Sequence, residues 1–388
     1  MSRFADHKAP LLAGTVASIT GTAASAGLVL TALTSLHATK SQTASAIFVL
    51  IALYGLLSIA LSWRFKMPIS IVWSTPGAAL LISSGALRLP FTSAVGAFIV
   101  TGVLLLLTGL WPALGRLVSA IPKPIASAML AGVIFNFCIA PFKSAADFPW
   151  IVLPGILVWL VLYKYATIWA TPAAMVIIFT LTAIAKGISF GPGSLLPQVE
   201  LVVPTFDITA IVSIAIPLYL VTMASQNIPG VAIMKSFGYE VPFKPVMAAT
   251  GLSAIIAAFF GGFSMNLAAI TAALNANEHA HKDPSRRWLA SVYGGFVYLV
   301  IALLAVPTVA FVLQAPKELV LAAAGLALLG TIISALSSAV EVTELRLPAM
   351  VSFLVAASGV SAFGIGSAFW ALLAGLIVWG WLSLRKNA

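Results

Sequence analysis

MPISIVWSTPGAALLISS, residues 67–84, has a counterpart in FGGFSMNLAAITAALNA, residues 260–276, and together the two stretches decide the fold. In the first, a β-branched and extended run leads into a short helix, with Thr75 as the expected N-cap and Pro76 at the first helical position. In the second, Gly261-Gly262 breaks the preceding helix, FSM runs extended, and Asn266 is the expected cap of LAAITAALNA. Each helical piece is about a dozen residues, roughly 18 Å, against roughly 30 Å of hydrocarbon. Neither spans a membrane alone. A half-helix that starts inside a bilayer leaves up to four amides unpaired and puts its positive dipole end there, which is tolerable beside a ligand or a water-filled cavity. Two such starts imply an anion site. The pieces also match each other, because Ala78-Ala79-Leu80 and Ala272-Ala273-Leu274 lie 194 residues apart (272 − 78) in a chain of 388. Paired interrupted segments in corresponding positions of two halves point to the binding site of a secondary transporter. The bland alternative is that Gly and Pro only kink packed helices.

The surrounding composition agrees. Apolar residues make up 61% of the chain and charged residues 8%, with a mean hydropathy of +1.10. That excludes a soluble globular protein and leaves one integrated domain of membrane helices. Arg3 and Lys8 precede a first span without a convincing cleavage site, so no signal peptide is expected to be removed. The net charge of +10 comes from singly scattered basic residues without an aromatic platform, so nucleic acid is not an expected partner. Cys138 is the only cysteine, which rules out a disulfide within the chain.

Apolar runs predict spans near 12–36, 43–63, the interrupted 67–84, 91–110, 118–139, 149–165 and 170–186. After the polar stretch 187–204 they resume near 207–228, 244–259, the interrupted 261–276, 287–313, 317–338, 347–360 and 363–383. The expected fold is thus an all-α polytopic membrane protein of fourteen elements, seven in 1–200 and seven in 201–388. An odd number per half makes the two repeats insert with inverted orientation. With the N-terminus in the cytoplasm, fifteen basic residues fall inside and five (Lys40, Arg88, Lys143, Lys186 and Lys317) outside, the bias that positive-inside topology demands. Both termini are then cytoplasmic.

All ten acidic residues fall in loops or at span ends by this count. A neutral, proton-coupled cargo would call for a buried acid, whereas an anionic cargo needs only neutral donors and dipoles. The neutral donors near the interrupted segments are Ser74 and Thr75, with Gly77 beside them, Asn266 and Thr271, with Leu267 between, and Gln226 and Asn227. The last pair is expected near the end of the eighth element, before a helix break at Pro229-Gly230; a helix-to-helix hydrogen bond is its alternative role. Ser18, Thr20, Thr22 and Ser25 give the first span a polar face, mostly through back-bonding to helix carbonyls. Apolar cargo contacts are expected from among Trp73, Phe259, Phe260, Phe263 and Tyr219. Trp63, Trp111, Trp150, Trp169, Trp379 and Trp381 lie near span ends and suit an interfacial belt.

The densest polar cluster, NANEHAHKDPSRR at 275–287, lacks a second ligand cluster for a metal. A solvated loop is its plain reading. Glu278 and His279, at the end of the half-helix, are candidates for proton handling because a histidine titrates near neutral pH. No cofactor is expected beyond the proton as coupling ion. An intramembrane enzyme would need a buried acid–base pair or metal cluster, which the placement of acids and histidines does not supply.

PISIVWSTPGAALL, SQNIPGVAIMKSFGY with the following P-F-K-P, TGLSAIIAAFFGGFSMNLAAITAAL and EHAHKDPSRRW resemble the benzoate/proton symporter family of bacterial inner membranes, the BenE type. The match runs over nearly the whole chain. The resemblance implies uptake of benzoate or a close aromatic carboxylate with a proton. It further implies a distant relation to nucleobase and ascorbate permeases: inverted seven-plus-seven repeats, strands leading into half-helices in elements three and ten, core and gate domains, and a possible homodimer. Nucleobase permeases are similar in carrying acids in elements eight and ten, where this chain offers Gln226 and Asn266. That departure favours a cargo bringing its own carboxylate over a nucleobase; another organic or inorganic anion carried on the same fold, or a passive anion channel, is the alternative.

Overall fold

The structure is a computed structural model and describes residues 3–111, 120–187, 199–360, 362–363 and 365–384. Arg116, Arg385 and Lys386 of the inner charge count, and most of the linker 187–204, lie outside the described residues. In the first half the elements are α1 (Arg3–Ser35), α2 (Lys40–Phe65), β1 (Ile71–Trp73), α3 (Thr75–Ser84), α4 (Phe91–Leu110), α5 (Lys123–Cys138), α6 (Ala140–Asp147), α7 (Pro149–Tyr165) and α8 (Thr167–Lys186). The second half has α9 (Ile208–Ser236), α10 (Phe243–Ala258), β2 (Met265–Leu267), α11 (Ala269–Ala276), α12 (Trp288–Ala302), α13 (Ala305–Gln314), α14 (Lys317–Val340), α15 (Arg346–Ala357) and α16 (Ser367–Leu384). Among the described residues, eight helices are long and apolar enough to cross a membrane. A ninth span is added if α12 and α13, bent by 57° at their junction, are counted together.

The centre of the bundle is a two-stranded antiparallel ladder, pairing Ile71 with Leu267, Val72 with Asn266 and Trp73 with Met265. Ser74 N–H to Ser264 O (3.1 Å) and Ala268 N–H to Ser70 O (2.9 Å) extend it at its two ends. Isolated strands in an apolar interior leave edge amides and carbonyls exposed, and each needs a partner. On the β1 edge, Ser58 of α2 receives the Ile71 N–H at 2.9 Å and Ser62 donates to Ile69 O at 2.7 Å. On the β2 edge, Asn227 Oδ1 receives the Leu267 N–H at 2.9 Å. The Thr222 hydroxyl ties both segments to α9, donating to Ser74 Oγ (3.1 Å) and lying 3.0 Å from Ser264 Oγ. Asn275 Nδ2 holds α11 against Ser70 and Ser291 at 3.0 and 3.1 Å.

Around this centre, helices approach through small residues, as expected where packing rather than water drives association. A Cβ on Gly251 of α10 would lie 2.3 Å from Leu106 N of α4, and one on Gly14 of α1 would lie 2.0 Å from Ala290 O of α12. Neither position accepts a side chain without moving a helix.

Four local expectations are corrected. The cap of α3 is Ser74, not Thr75: its side chain receives the Gly77 N–H, and Pro76 follows in the first turn. Asn266 caps nothing, because the extended segment is MNL rather than FSM and carries Asn266 into the ladder, so that α11 begins after Ala268. Pro229-Gly230 does not end the eighth element; α9 continues to Ser236, with Gln226 and Asn227 well inside it. Proline lacks an N–H and its ring presses on the carbonyl four residues back. In α9 a wider π-turn precedes each proline, Ile211–Ala215 before Pro217 and Met223–Asn227 before Pro229, and relieves that conflict. Of the α1 hydroxyls named above, Ser25 back-bonds to Gly21 O, Ser18 donates to Gly294 O of α12, and those of Thr20 and Thr22 are buried without a partner. The six belt tryptophans are all exposed.

Candidate functional site

Between the starts of the two half-helices, α3 and α11, lies a cavity of about 320 Å³, within the range of small-molecule sites. Its polar lining is Thr20, Ser25, Thr75, Thr167, Thr171, Gln226, Thr271 and Thr331, and its walls include Trp73, Trp159, Tyr163, Pro172 and Leu274. The described lining contains no Asp, Glu, His, Lys or Arg. The polar groups it offers are hydroxyls, one amide side chain and the ring N–H and O–H groups of its aromatic walls.

The aromatic walls are fixed by bonds from behind. Trp73 Nε1 donates to Ser25 Oγ at 2.8 Å, and its ring meets Tyr54 edge-on at 5.6 Å. Tyr54 in turn packs edge-on to Tyr298 at 4.6 Å. Across the cavity, Trp159 Nε1 donates to Thr171 Oγ1 at 3.3 Å, and Trp159 stacks on Tyr163 with ring centroids 4.8 Å apart. One wall thus comes from β1 and α1, the other from α7 and α8.

The two half-helix starts differ in a capping hydroxyl and a proline. Ser74 (φ −80°, ψ 98°) and Ala268 (φ −82°, ψ 122°) occupy the same position after their strands with nearly the same backbone. Ser74 turns its hydroxyl onto the Gly77 N–H at 3.1 Å, and Pro76 removes another amide from the first turn. Ala268 has no side chain that caps, and α11 has no proline in its first turn. The amides of Ala269, Ile270 and Thr271 have no acceptor inside their own helix. Ala268 and Thr271 both line the cavity, which places the uncapped start of α11 beside it.

Of the residues singled out from sequence, Thr75, Gln226 and Thr271 come together on the cavity. Ser74, Gly77, Asn227, Asn266 and Leu267 stand behind it. Ser74 and Asn227 are fully buried and already engaged, as described above, and Gly77 packs against Leu218 and Ser74 where a Cβ would come within 2.6–2.8 Å. Asn266 faces Val72 across the ladder and donates from Nδ2 to Leu267 O at 2.9 Å, while its buried Oδ1 has no partner. Glu278 and His279 follow the far end of α11 in the loop and are exposed. Trp73 is a wall, whereas Phe259, Phe260, Phe263 and Tyr219 do not line the cavity; Phe263 packs on Phe98, and the Tyr219 hydroxyl pairs with Thr108. Trp159, Tyr163 and Ala268 carried no sequence signal. The first two reach the site only through tertiary packing, and the third matters for what it lacks.

Two strand and half-helix units meeting at a cavity inside a bundle of apolar helices define a membrane transport protein. Residues 5–380 match the benzoate membrane transport proteins (BenE), and the chain belongs to that family. It is 38% identical over 380 residues to the inner membrane protein YdcO of Escherichia coli K12, covering 96% of each chain. It is 33% identical over 327 residues to the benzoate membrane transport protein of Acinetobacter baylyi, covering 83% of this chain and 82% of that one. Its fold is similar to the transmembrane domain of the cyanobacterial bicarbonate transporter BicA (TM-score 0.62, 14% identity, 97% and 98% covered). It is also similar to the murine anion transporter Slc26a9 in its inward-facing state (TM-score 0.62, 16% identity, 100% and 69% covered).

Proposed function

We propose that this protein takes up benzoate or a related aromatic carboxylate together with a proton, by alternating access. The observation that carries the proposal is the bare start of α11 opening on a cavity with aromatic walls. The carboxylate rests at the amides of residues 269–271, with the Thr271, Thr75 and Gln226 side chains completing its shell, and the ring lies between Trp73 and the Trp159–Tyr163 stack. Moving a lone anion inward against a negative interior costs roughly 2.3 kcal/mol per 100 mV, which a co-transported proton offsets. Glu278 and His279 are our candidates for passing that proton to the cytoplasm; proton-driven uptake that stays at the wild-type level in both Glu278→Gln and His279→Ala would remove them.

We further place the chain in fourteen elements as inverted repeats, 1–200 and 201–388, in a bacterial inner membrane with both termini cytoplasmic. The strand and half-helix units with α1, α9 and their neighbours form a core that moves against a gate containing α7, α8 and α14. A homodimer is the assembly we expect. The cavity reaches Tyr163 and Thr167, on either side of Lys164; with Lys164 assigned to the inside, we infer an inward-opening conformation.

The test is uptake of labelled benzoate into proteoliposomes under an inward proton gradient, with an ionophore arm and protein-free liposomes to account for leak of benzoic acid. Protein-dependent, ionophore-sensitive accumulation supports the reading. Ionophore-insensitive equilibration points to a channel. Absent uptake, or competition by uracil, xanthine, sulfate or bicarbonate, moves the assignment to another anion.

A further inference from the structure

The loop after α11 is a closed knot of short bonds. Asn277 Oδ1 receives the N–H groups of His279 (2.8 Å) and Ala280 (3.3 Å), and Asp283 Oδ1 receives that of Ser285 (2.9 Å). From the α9–α10 connection, the Tyr239 hydroxyl donates to Pro284 O at 2.7 Å. At its centre Arg287 is only 9% exposed. Glu278, His281, Lys282, Asp283 and Arg286 all lie within ten residues of it, yet the guanidinium turns to two backbone carbonyls instead of a carboxylate. Nη1 donates to Ala276 O at 2.7 Å and Nε to His281 O at 2.8 Å, and no ion pair involving Arg287 occurs among the described residues.

Ala276 is the last residue of α11. A helix leaves its last four carbonyls without internal partners, which in an eight-residue helix is half of them. A cation at that end also meets the negative pole of the dipole. The start of the same helix, about 12 Å away at 1.5 Å per residue, is the bare end on the cavity.

We propose that Arg287 is a positioning residue of the transport site. It clamps α11 from its far end, and through Tyr239 and Pro284 it joins the ends of α9, α11 and α12 into one unit, so that the amides of 269–271 stay aimed into the cavity. The proposal rests on the reading of that helix start as the anion site.

The test compares Arg287→Ala, Arg287→Lys and Tyr239→Phe with wild type, each checked for folding by size exclusion and thermal melting. Hydrogen–deuterium exchange needs no substrate. Arg287→Ala is expected to speed exchange in 269–276 about tenfold, the effect of losing a charge-assisted bond, and to leave 75–84 unchanged. In benzoate uptake the half-saturating concentration rises about tenfold while the maximal rate stays within about twofold. Arg287→Lys, which keeps the charge but not the fork, restores only part of both, and Tyr239→Phe shifts both in the same direction by less. Unchanged exchange in 269–276, or a fall in maximal rate at constant half-saturation, overturns the proposal. If the exchange result holds while wild type fails to take up benzoate, the clamp stands and the cargo assignment falls.

Discussion

If the bare start of α11 is the anion site, giving it a cap should close it. Ala268→Ser is the smallest such change. Ala268 already has N-cap backbone geometry, and the equivalent Ser74 shows where the hydroxyl goes, onto the N–H three residues later at 3.1 Å. A serine in place of alanine at an N-cap stabilises a helix by about 1 kcal/mol. The same bond occupies the Thr271 amide and puts an oxygen where the carboxylate would sit. Losing one hydrogen bond to a charged group costs about 1.5–3 kcal/mol of binding, or roughly ten- to a hundredfold in affinity. Stability and affinity should therefore move in opposite directions. Ala268→Ser is expected to melt higher than wild type without ligand, to gain less from added benzoate, and to need at least about tenfold more benzoate for half-maximal uptake. Ala268→Gly, which adds no oxygen, should bind as wild type does. A serine variant that melts higher yet binds benzoate as tightly as wild type would refute the assignment of the site to this helix start.

Four further predictions concern the surrounding residues and the loop after α11. Gln226→Ala removes a cavity-lining side chain and should raise half-saturation about tenfold with little change in melting temperature, whereas Asn227→Ala strips the Leu267 N–H of its acceptor and should cost about 1–3 kcal/mol of stability, read by thermal unfolding in detergent. Ser74→Ala removes the cap of α3 and the acceptor for Thr222, and should destabilise by about 0.5–2 kcal/mol in the same assay. Hydrogen bonds from Ser285 hold the Asp283 carboxyl below its ordinary range. A depressed acid contributes stability that is complete above its unfolded value and is lost as pH falls through the folded one, so exchange protection of the Ser285 amide, corrected for intrinsic rates, should be flat between about pH 5 and 7 and drop only in stronger acid.

The interrupted segments were legible because their punctuation is local: Pro76, Gly261 and Gly262 sit where an apolar run stops, and in the first segment a β-branched run precedes the short helix. The repeat offset was legible as well, and the structure extends it, since Ser74 and Ala268 are also 194 residues apart. The caps were not legible. Thr75 and Asn266 have the right chemistry, but β1 stopped one residue short of where a Thr75 cap required, β2 ran two residues further than an Asn266 cap allowed, and the ladder rather than propensity set where each helix began. Pro229 misled for a related reason: a proline breaks a helix only if the turn before it cannot widen, and in α9 it does. Trp159 and Tyr163 sit in an apolar helix with nothing in their spacing to set them apart. Only the packing of α7 and α8 opposite β1 makes them walls.

The asymmetry between the two starts also follows from what one carboxylate can accept. Its two oxygens offer about four lone-pair sites, enough for the three free amides of one helix start and a side-chain donor or two. A second bare start would compete for the same oxygens, and in the empty protein both would stand unpaired in a cavity with apolar walls, where each unsatisfied amide costs about 1–3 kcal/mol. Ser74 and Pro76 remove that second claim, while the polar side chain of Thr75 stays free to reach the cavity. The first half-helix then serves as a closed brace and the second as an open socket. A double variant, Ser74→Ala with Ala268→Ser, exchanges the two roles. The amide freed by losing Ser74 belongs to Gly77, buried behind Thr75 and against Leu218, so it cannot replace the one withdrawn from the cavity. The double variant should bind benzoate no better than Ala268→Ser alone, and recovery of wild-type affinity would show that the two starts are interchangeable and that the cap does not choose between them.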